Sequence, residues 1–166
     1  MSRVIGLAAI VIYALLPFVS MFFSDEARDK VYTSVKDIDK SYDVIVMGGE
    51  PEGVAAAVSS ARSGNKTLLV EHRDGLGGLM TYGMLNFLDI SHDQHGDIAN
   101  AGIFKEWHTL VGGQVGFDIE EAKDAFMQLV QAEENLTLIL ETNFTEVEME
   151  GHRLTAVKLE LESQIK

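Results

Sequence analysis

The sequence contains no cysteine among its 166 residues. Disulfide bonds, thiolate zinc sites, cysteine-ligated iron–sulfur clusters and redox-active dithiols are therefore excluded. Basic residues are also scarce, because 13 lysines and arginines stand against 26 acidic residues and give a formal net charge of −13. That balance argues against nucleic acid as a partner and against a polybasic contact with anionic lipid, since both need clustered positive charge.

Charge is also absent from one long hydrophobic run, residues 4–23. Twenty helical residues at about 1.5 Å each span roughly 30 Å, the thickness of the hydrocarbon core of a bilayer. The run predicts an N-terminal hydrophobic helix, so that residues 1–23 form a membrane anchor or a signal segment. Residues 24–41 are polar, contain neither glycine nor proline, and are interpreted as a linker.

The choice between a retained anchor and a cleaved signal stays open, although the residues favour an anchor. Phe18 and Phe22 stand two positions before Ser20 and Ser24, where a cleavage site would need small residues. Four lysines and arginines in the linker against Arg3 before the run would keep the rest of the chain in the cytoplasm. A hydrophobic start that acts as an export signal would do the opposite. The expected localisation is therefore membrane-anchored or exported, with the side undecided.

A β-turn-α-β unit begins at residue 42. Residues 43–47 form a β-branched apolar run that predicts a strand buried on both faces, as in a parallel sheet. A glycine-rich turn over residues 48–53 follows, and the alanine-rich residues 54–62 predict a helix. Residues 66–71 predict a second buried strand. This order is typical of a dinucleotide-binding unit.

The residues of this unit predict where a dinucleotide binds. Gly48 permits a tight turn, Gly53 allows close packing of the helix on the sheet, and Pro51 suits the first helical turn. The free N–H groups and the positive end of the helix dipole then favour a pyrophosphate. Glu71 ends the second strand, where a carboxylate accepts hydrogen bonds from a ribose and repels a 2′-phosphate. The pattern therefore predicts FAD or NAD rather than NADP.

Glu50 departs from the glycine pattern, because it stands where the middle glycine of G-x-G-x-x-G is expected. A carboxylate at 4 Å from a phosphate costs about 1 kcal/mol in water and more in a drier site. A side chain turned toward solvent would remove most of this cost.

Residues 42–90, which read YDVIVMGGEPEGVAAAVSSARSGNKTLLVEHRDGLGGLMTYGMLNFLDI, resemble the N-terminal end of FAD-dependent oxidoreductases with a glutathione-reductase-type FAD domain. Members of that family carry GGxPAG, a terminal VE on the second strand, and then LGG in this order. The similarity continues more weakly to about residue 161, and Glu50 and Glu52 depart from the family pattern. The resemblance implies FAD as the cofactor, and a hydride that moves between a small organic substrate and the flavin N5.

The resemblance also implies positions around the cofactor. The pyrophosphate would be lined by Gly48, Gly49, Pro51, Glu52 and Gly53. The adenosine ribose would be held by Glu71, with His72 and Arg73 beside the adenine half. Backbone would approach the phosphates or the ribityl chain at Gly77 and Gly78. The chain would run toward the isoalloxazine through Leu79, Met80 and Thr81, and it would pass the adenine near Phe144.

The second half of the chain completes the predicted fold. Helices are expected over residues 98–111 and after Asp118, and residues 136–141 predict a third parallel strand. Residues 144–149 and 153–160 alternate apolar with polar and predict a hairpin. The predicted fold class is α/β, a Rossmann-like FAD-binding domain over residues 42–166. It has a parallel sheet and a small antiparallel hairpin, and it is incomplete at its C-terminus.

An acidic, histidine-containing loop follows the first unit. It holds Asp89, His92, Asp93, His95 and Asp97, whose spacing matches no defined metal site, so no metal is predicted. The resemblance instead suggests a place near the flavin face. His108 and His152 are interpreted as structural or surface residues.

The function predicted from these observations is flavin-dependent oxidoreduction. The substrate and the catalytic residues are unknown, because the chain ends at Lys166 while members of the resembled family continue for a few hundred residues. We expect a fragment or a shortened descendant of such an enzyme, whose open sheet edge is covered by a missing C-terminal part or by another chain. Two alternatives remain open: an NAD-binding Rossmann domain of a dehydrogenase, and a non-catalytic, membrane-tethered nucleotide-binding module.

Overall fold

The computed structural model describes residues 41–161. The predicted hydrophobic helix over residues 4–23 and nearly all of the predicted linker lie outside the described residues. Within residues 41–161, no helix combines the length and the apolar composition that crossing a membrane requires.

A parallel sheet of three strands forms the centre of the described chain. β1 is Val44–Met47, β2 is Thr67–Val70 and β3 is Leu136–Ile139, in the spatial order β1-β2-β3. Both pairs are parallel, and every residue of the central strand β2 is buried. The expected burial on both faces is met by β2, whereas the residues of β1 are only partly buried. The predicted α/β class and its three parallel strands are confirmed.

Within residues 41–161, four helices connect and cover the strands: α1 (Pro51–Arg62), α2 (Gly78–Thr81), α3 (Ile103–Leu110) and α4 (Ile119–Gln131). Asp118 caps α4, since its side chain accepts hydrogen bonds from the N–H groups of Glu120 and Glu121. α3 is shorter than the predicted helix over residues 98–111. The helix begins only at Ile103, because its N-cap Gly102 has a φ of 66°, which is incompatible with a helix. The preceding residues 91–99 instead fold into a loop closed by backbone hydrogen bonds.

The two faces of the sheet are covered differently. On one face, α1 packs on the sheet, and the Thr67 hydroxyl bonds the Ser60 hydroxyl of α1 at 2.9 Å. On the other face, Leu68, Val70 and Ile139 form a buried cluster, against which the hairpin residue Leu159 packs. The described chain is therefore layered as helices, parallel sheet and hairpin.

The hairpin consists of β4 (Thr142–Glu150) and β5 (Arg153–Leu161), paired antiparallel with two register shifts. This confirms the predicted hairpin. Most of its residues are exposed, although its apolar side chains include Phe144, Val147, Met149, Leu154 and Leu161. In the part of the chain that the structure describes, β1 pairs with β2 alone, so its other edge has no strand partner there.

An aromatic cluster joins α3 to α4. Trp107 is buried, stacks on Phe126 at 5.0 Å between ring centroids, and meets Phe117 edge-on at 5.0 Å. His108 is also buried, stacks on Phe104, and its Nε2 bonds the carbonyl oxygen of Gln114 at 3.0 Å. His108 is therefore structural, which is one of the two roles expected for it.

Arg62, in the last turn of α1, links three parts of the fold. Its Nη1 bonds Glu106 of α3 at 2.7 Å, and its Nε bonds Glu133, beyond α4, at 2.7 Å. The hydrogen bond from Arg62 holds the pKa of Glu106 below its usual value. The three side chains are partly exposed, so the stabilisation is modest and is screened by salt.

We expect Arg62→Met to lower the free energy of unfolding by about 1 kcal/mol at neutral pH. Arg62 holds the pKa of Glu106 in the folded state below its pKa in the unfolded state. The stabilisation is therefore complete at a pH above the unfolded-state pKa, and it is lost as the pH falls through the folded-state pKa. Urea unfolding of both chains at pH 7 and near pH 3 measures the difference. An equal loss at both pH values would contradict the assignment, and Arg153→Met in the exposed hairpin is the control.

Candidate dinucleotide-binding site

The turn between β1 and α1 is as tight as its glycines predict. Gly48 has a φ of 103°, which favours glycine, and its N–H donates to the carbonyl oxygen of Val70 at 2.7 Å. A Cβ on Gly53 would collide with the carbonyl oxygen of Gly48. The first turn of α1 therefore lies directly on the end of β1.

The start of α1 has the properties of an anion-binding end. Glu50 is the N-cap residue, but its side chain makes no capping hydrogen bond, and Pro51 follows without an N–H. The N–H groups of the next residues, Glu52 and Gly53, belong to the first turn, where a helix offers no internal acceptors. These groups and the helix dipole favour negative charge at this point.

Glu71 fastens the end of β2 to this turn. Its side chain is 1% exposed. One carboxylate oxygen accepts the N–H of Gly49 at 2.5 Å, and the other accepts the N–H of Arg73 at 2.8 Å. The second oxygen also lies 2.9 Å from Nδ1 of His72 and 3.3 Å from Nη1 of Arg73. One oxygen of this carboxylate therefore has a single donor, while three donor groups lie within hydrogen-bond distance of the other.

The second glycine-containing loop lies against the same turn. The N–H of Gly77 donates to the carbonyl oxygen of Gly49 at 2.8 Å. In α2, Met80 and Thr81 are buried, and the Thr81 hydroxyl donates to the carbonyl oxygen of Leu76 at 2.9 Å. Leu79 between them and Gly77 is 58% exposed. The structure thus brings the two predicted glycine segments into direct contact.

The side chain of Glu50 turns into this site rather than toward solvent. One carboxylate oxygen accepts the N–H of Leu79 at 2.9 Å, and the other accepts Nη1 of Arg73 at 2.9 Å. A Cβ on Gly78 would collide with this carboxylate, so a glycine there leaves room for it. The physical reason is that a charged donor and a backbone donor give the carboxylate two charge-assisted hydrogen bonds.

Arg73 is held in place from a second side by an aromatic ring. Its guanidinium lies 5.6 Å from the ring centroid of Tyr82, and Nζ of Lys123 lies 5.0 Å from that centroid. The Tyr82 hydroxyl donates to Asp74 at 2.5 Å. Burial and this hydrogen bond raise the pKa of Tyr82 above its usual value.

The segment after β3 runs beside the end of β2. The N–H of Thr142 donates to the carbonyl oxygen of Glu71, and the N–H of Glu141 to that of Arg73, both at 3.0 Å. Phe144 follows two residues later and is half-exposed on β4. These bonds place the segment that carries Phe144 on the Glu71 side of the site.

An apolar cavity of about 290 Å³ is lined in part by the first turn of α1. Its lining is Pro51, Glu52, Ala55, Met80, Ile103, Phe104, Trp107 and Phe126. Such a lining does not suit a diphosphate. In the loop before α3, Asp93 accepts the N–H groups of His95 and Asp97, and residues 41–161 contain no cluster of metal-ligating side chains.

The sequence does not predict the contacts of Glu50, Asp74 and Tyr82. It marks Glu50 only as a departure from the glycine pattern, and no motif singles out Asp74 or Tyr82. The available signal was an acid inside a glycine-lined turn together with an arginine directly after the second strand. Only the folded chain shows that Glu50 and Arg73, separated by 23 positions, form an ion pair.

This chain is similar to several known proteins. The sequence model of the family described as FAD dependent oxidoreductase matches residues 43–166. The mitochondrial dihydrolipoyl dehydrogenase of Pisum sativum is 30% identical over 98 residues, which cover 55% of this chain and 19% of that protein. The digeranylgeranylglycerophospholipid reductase of Picrophilus torridus is 26% identical over 146 residues, which cover 77% of this chain and 37% of that protein.

The crystal structure of Thermovibrio ammonificans THI4 shares the fold, with a TM-score of 0.50 and 16% identity over 90% of this chain and 56% of that one. This chain spans about a fifth of the pea enzyme and little more than a third of the archaeal reductase. Since the family model covers most of the sequence, the chain belongs to the FAD-dependent oxidoreductases, and the cofactor of that family is FAD.

Proposed function

We propose that this chain supplies the FAD-binding part of an enzyme that transfers a hydride between a small organic substrate and FAD. The observation that carries the proposal is the buried carboxylate of Glu71, which lies within hydrogen-bond distance of the glycine turn at the start of α1. This is the arrangement in which a helix start takes a pyrophosphate while an acid takes the adjoining ribose. Substrate recognition is assigned to no residue of this chain.

The residues that would hold FAD can be named from their contacts. The N–H groups of Glu52 and Gly53 in the first turn of α1 would take the pyrophosphate. On Glu71, the backbone donors are fixed, whereas the side chains of His72 and Arg73 are 47% and 30% exposed. A ribose hydroxyl would replace these two side chains on the carboxylate. Bound FAD supplies the redox chemistry itself, while the protein positions it and adjusts its electronics.

The site fits a dinucleotide in its backbone. The turn is tight and the helix start is uncapped, while the acid that would take the ribose lies beside it. One side chain stands against the fit, because the Glu50 carboxylate lies between the turn and the Leu79 N–H. The proposal therefore requires Glu50 to change rotamer.

Two further features are proposed from the sequence and the open surfaces together. The run over residues 4–23 would anchor the chain to a membrane. The edge of β1 that has no strand partner within residues 41–161, and the exposed apolar side chains of the hairpin, would be covered by a further part of the protein or by another chain, since such surfaces favour association.

We expect the full 166-residue chain, purified in mild detergent, to bind FAD and to show the absorbance bands of the flavin at about 370 and 450 nm. NADP⁺ should bind far more weakly than NAD⁺, because the Glu71 carboxylate repels a 2′-phosphate. Titrations with FAD, NAD⁺ and NADP⁺ measure this. Affinity for NAD⁺ without any for FAD would support the dehydrogenase alternative, and affinity for neither, also in the Glu50→Ala variant, would support the non-catalytic module.

We expect Glu71→Gln to lower the free energy of unfolding by about 2 kcal/mol. Both carboxylate oxygens accept backbone N–H groups, so the amide nitrogen of a glutamine would face the N–H of Gly49 or of Arg73, donor against donor. Urea unfolding monitored by circular dichroism measures the loss. The exposed Glu134→Gln, at the opposite end of the sheet, is the control. Equal stability of the two variants would contradict the role of Glu71 in fastening the turn.

A further inference from the structure

We propose that the Glu50 carboxylate occupies two anion donors beside the proposed diphosphate position, the Leu79 N–H and the Arg73 guanidinium, and must release them before a dinucleotide binds. Residue 50 would then set the cofactor affinity of this chain and couple cofactor uptake to the movement of one side chain. The inference rests on the proposed function, since it concerns the site assigned to FAD.

The contacts of Glu50 are those of a bound anion. Its two oxygens take the N–H of Leu79 and the guanidinium of Arg73, both at 2.9 Å. A backbone N–H and an arginine are also the donors that proteins offer to phosphate oxygens. The lack of a side chain on Gly78 gives the carboxylate the space that it fills. These two donors thus suit a negatively charged group, and the Glu50 carboxylate already occupies them.

The same carboxylate opposes a second anion. Glu50 is the N-cap residue of α1, so its backbone adjoins the first-turn N–H groups that would receive the diphosphate. A fixed negative charge lowers the affinity for an anion at a distance of about 4 Å by about fivefold in water. The loss of affinity is larger where water is excluded. The bonds to Leu79 and Arg73 must also be broken before a phosphate oxygen can use these donors.

Of the two carboxylates that Arg73 bonds, Glu50 is the one that can move. Its side chain is 34% exposed and is held by two contacts, whereas the Glu71 side chain is 1% exposed and is held by two backbone N–H groups in addition to two side chains. When Glu50 rotates outward, Arg73 and the Leu79 N–H become available to the incoming anion. The site then exchanges one anion for another, while Glu71 and the turn keep their places.

The experiment titrates FAD into the full chain and into three variants and follows flavin fluorescence. We expect Glu50→Ala to lower the Kd for FAD at least tenfold, which corresponds to about 1.4 kcal/mol. Glu50→Gln should lower it by a smaller factor, because a neutral amide still accepts the Leu79 N–H but attracts Arg73 less. Glu134→Gln removes the same charge from a distant exposed position and should leave the Kd unchanged. Circular dichroism verifies that each variant is folded.

A second measurement follows the displacement itself. The amide resonance of Leu79 in ¹⁵N-labelled protein should differ between the original chain and Glu50→Ala, and it should shift in the original chain when FAD is added. An original chain that binds FAD as tightly as both Glu50 variants would overturn this inference and leave the proposed function standing. Binding by Glu50→Ala with none by the original chain would support the inference. Absence of FAD binding in every variant would overturn both.

Discussion

The buried carboxylate of Glu71 is the constraint on which the site depends. Two neighbouring parallel strands end beside each other, and the chain leaves each of them in a different direction. One carboxylate, with the Gly49 N–H on one oxygen and the Arg73 N–H on the other, fixes both exits relative to the sheet. The turn it fastens then supports the second glycine segment through Gly77. The backbone of Glu71 also receives the segment after β3 at Thr142.

Charge balance around Arg73 bears on how an acidic chain could bind a diphosphate at the proposed site. A single guanidinium bonds two carboxylates, those of Glu50 and Glu71, so it neutralises only part of the negative charge that surrounds it. In a protein of formal net charge −13, a diphosphate gains little from the overall field and depends on local donors. The backbone N–H groups therefore carry a large share of the proposed binding, and the state of Glu50 matters correspondingly.

The open surfaces of the described chain are consistent with a larger protein around it. The residues of β1 are only partly buried, although their apolar run is typical of a strand covered on both faces. The hairpin also exposes apolar side chains on a two-stranded sheet, which alone is marginally stable in water. The chain spans 19% of the Pisum sativum enzyme and 37% of the Picrophilus torridus reductase. The proposed covering of these surfaces agrees with that difference in length.

The amino-acid sequence by itself determined the secondary-structure elements and the turn in which the site lies. The apolar strand runs, the glycines at 48 and 53, the Asp118 cap and the buried face of α4 follow from local rules, because each depends on neighbours in the chain. The tertiary structure decided how the acids are used. Whether Glu71 has free lone pairs depends on donors such as the N–H of Gly49, which lies 22 positions before it. Whether Glu50 turns to solvent or into the site depends on Arg73 and Leu79, which lie 23 and 29 positions after it. Such partners meet only after the strands have paired, since a carboxylate takes whichever donors the folded backbone places within about 3 Å of it.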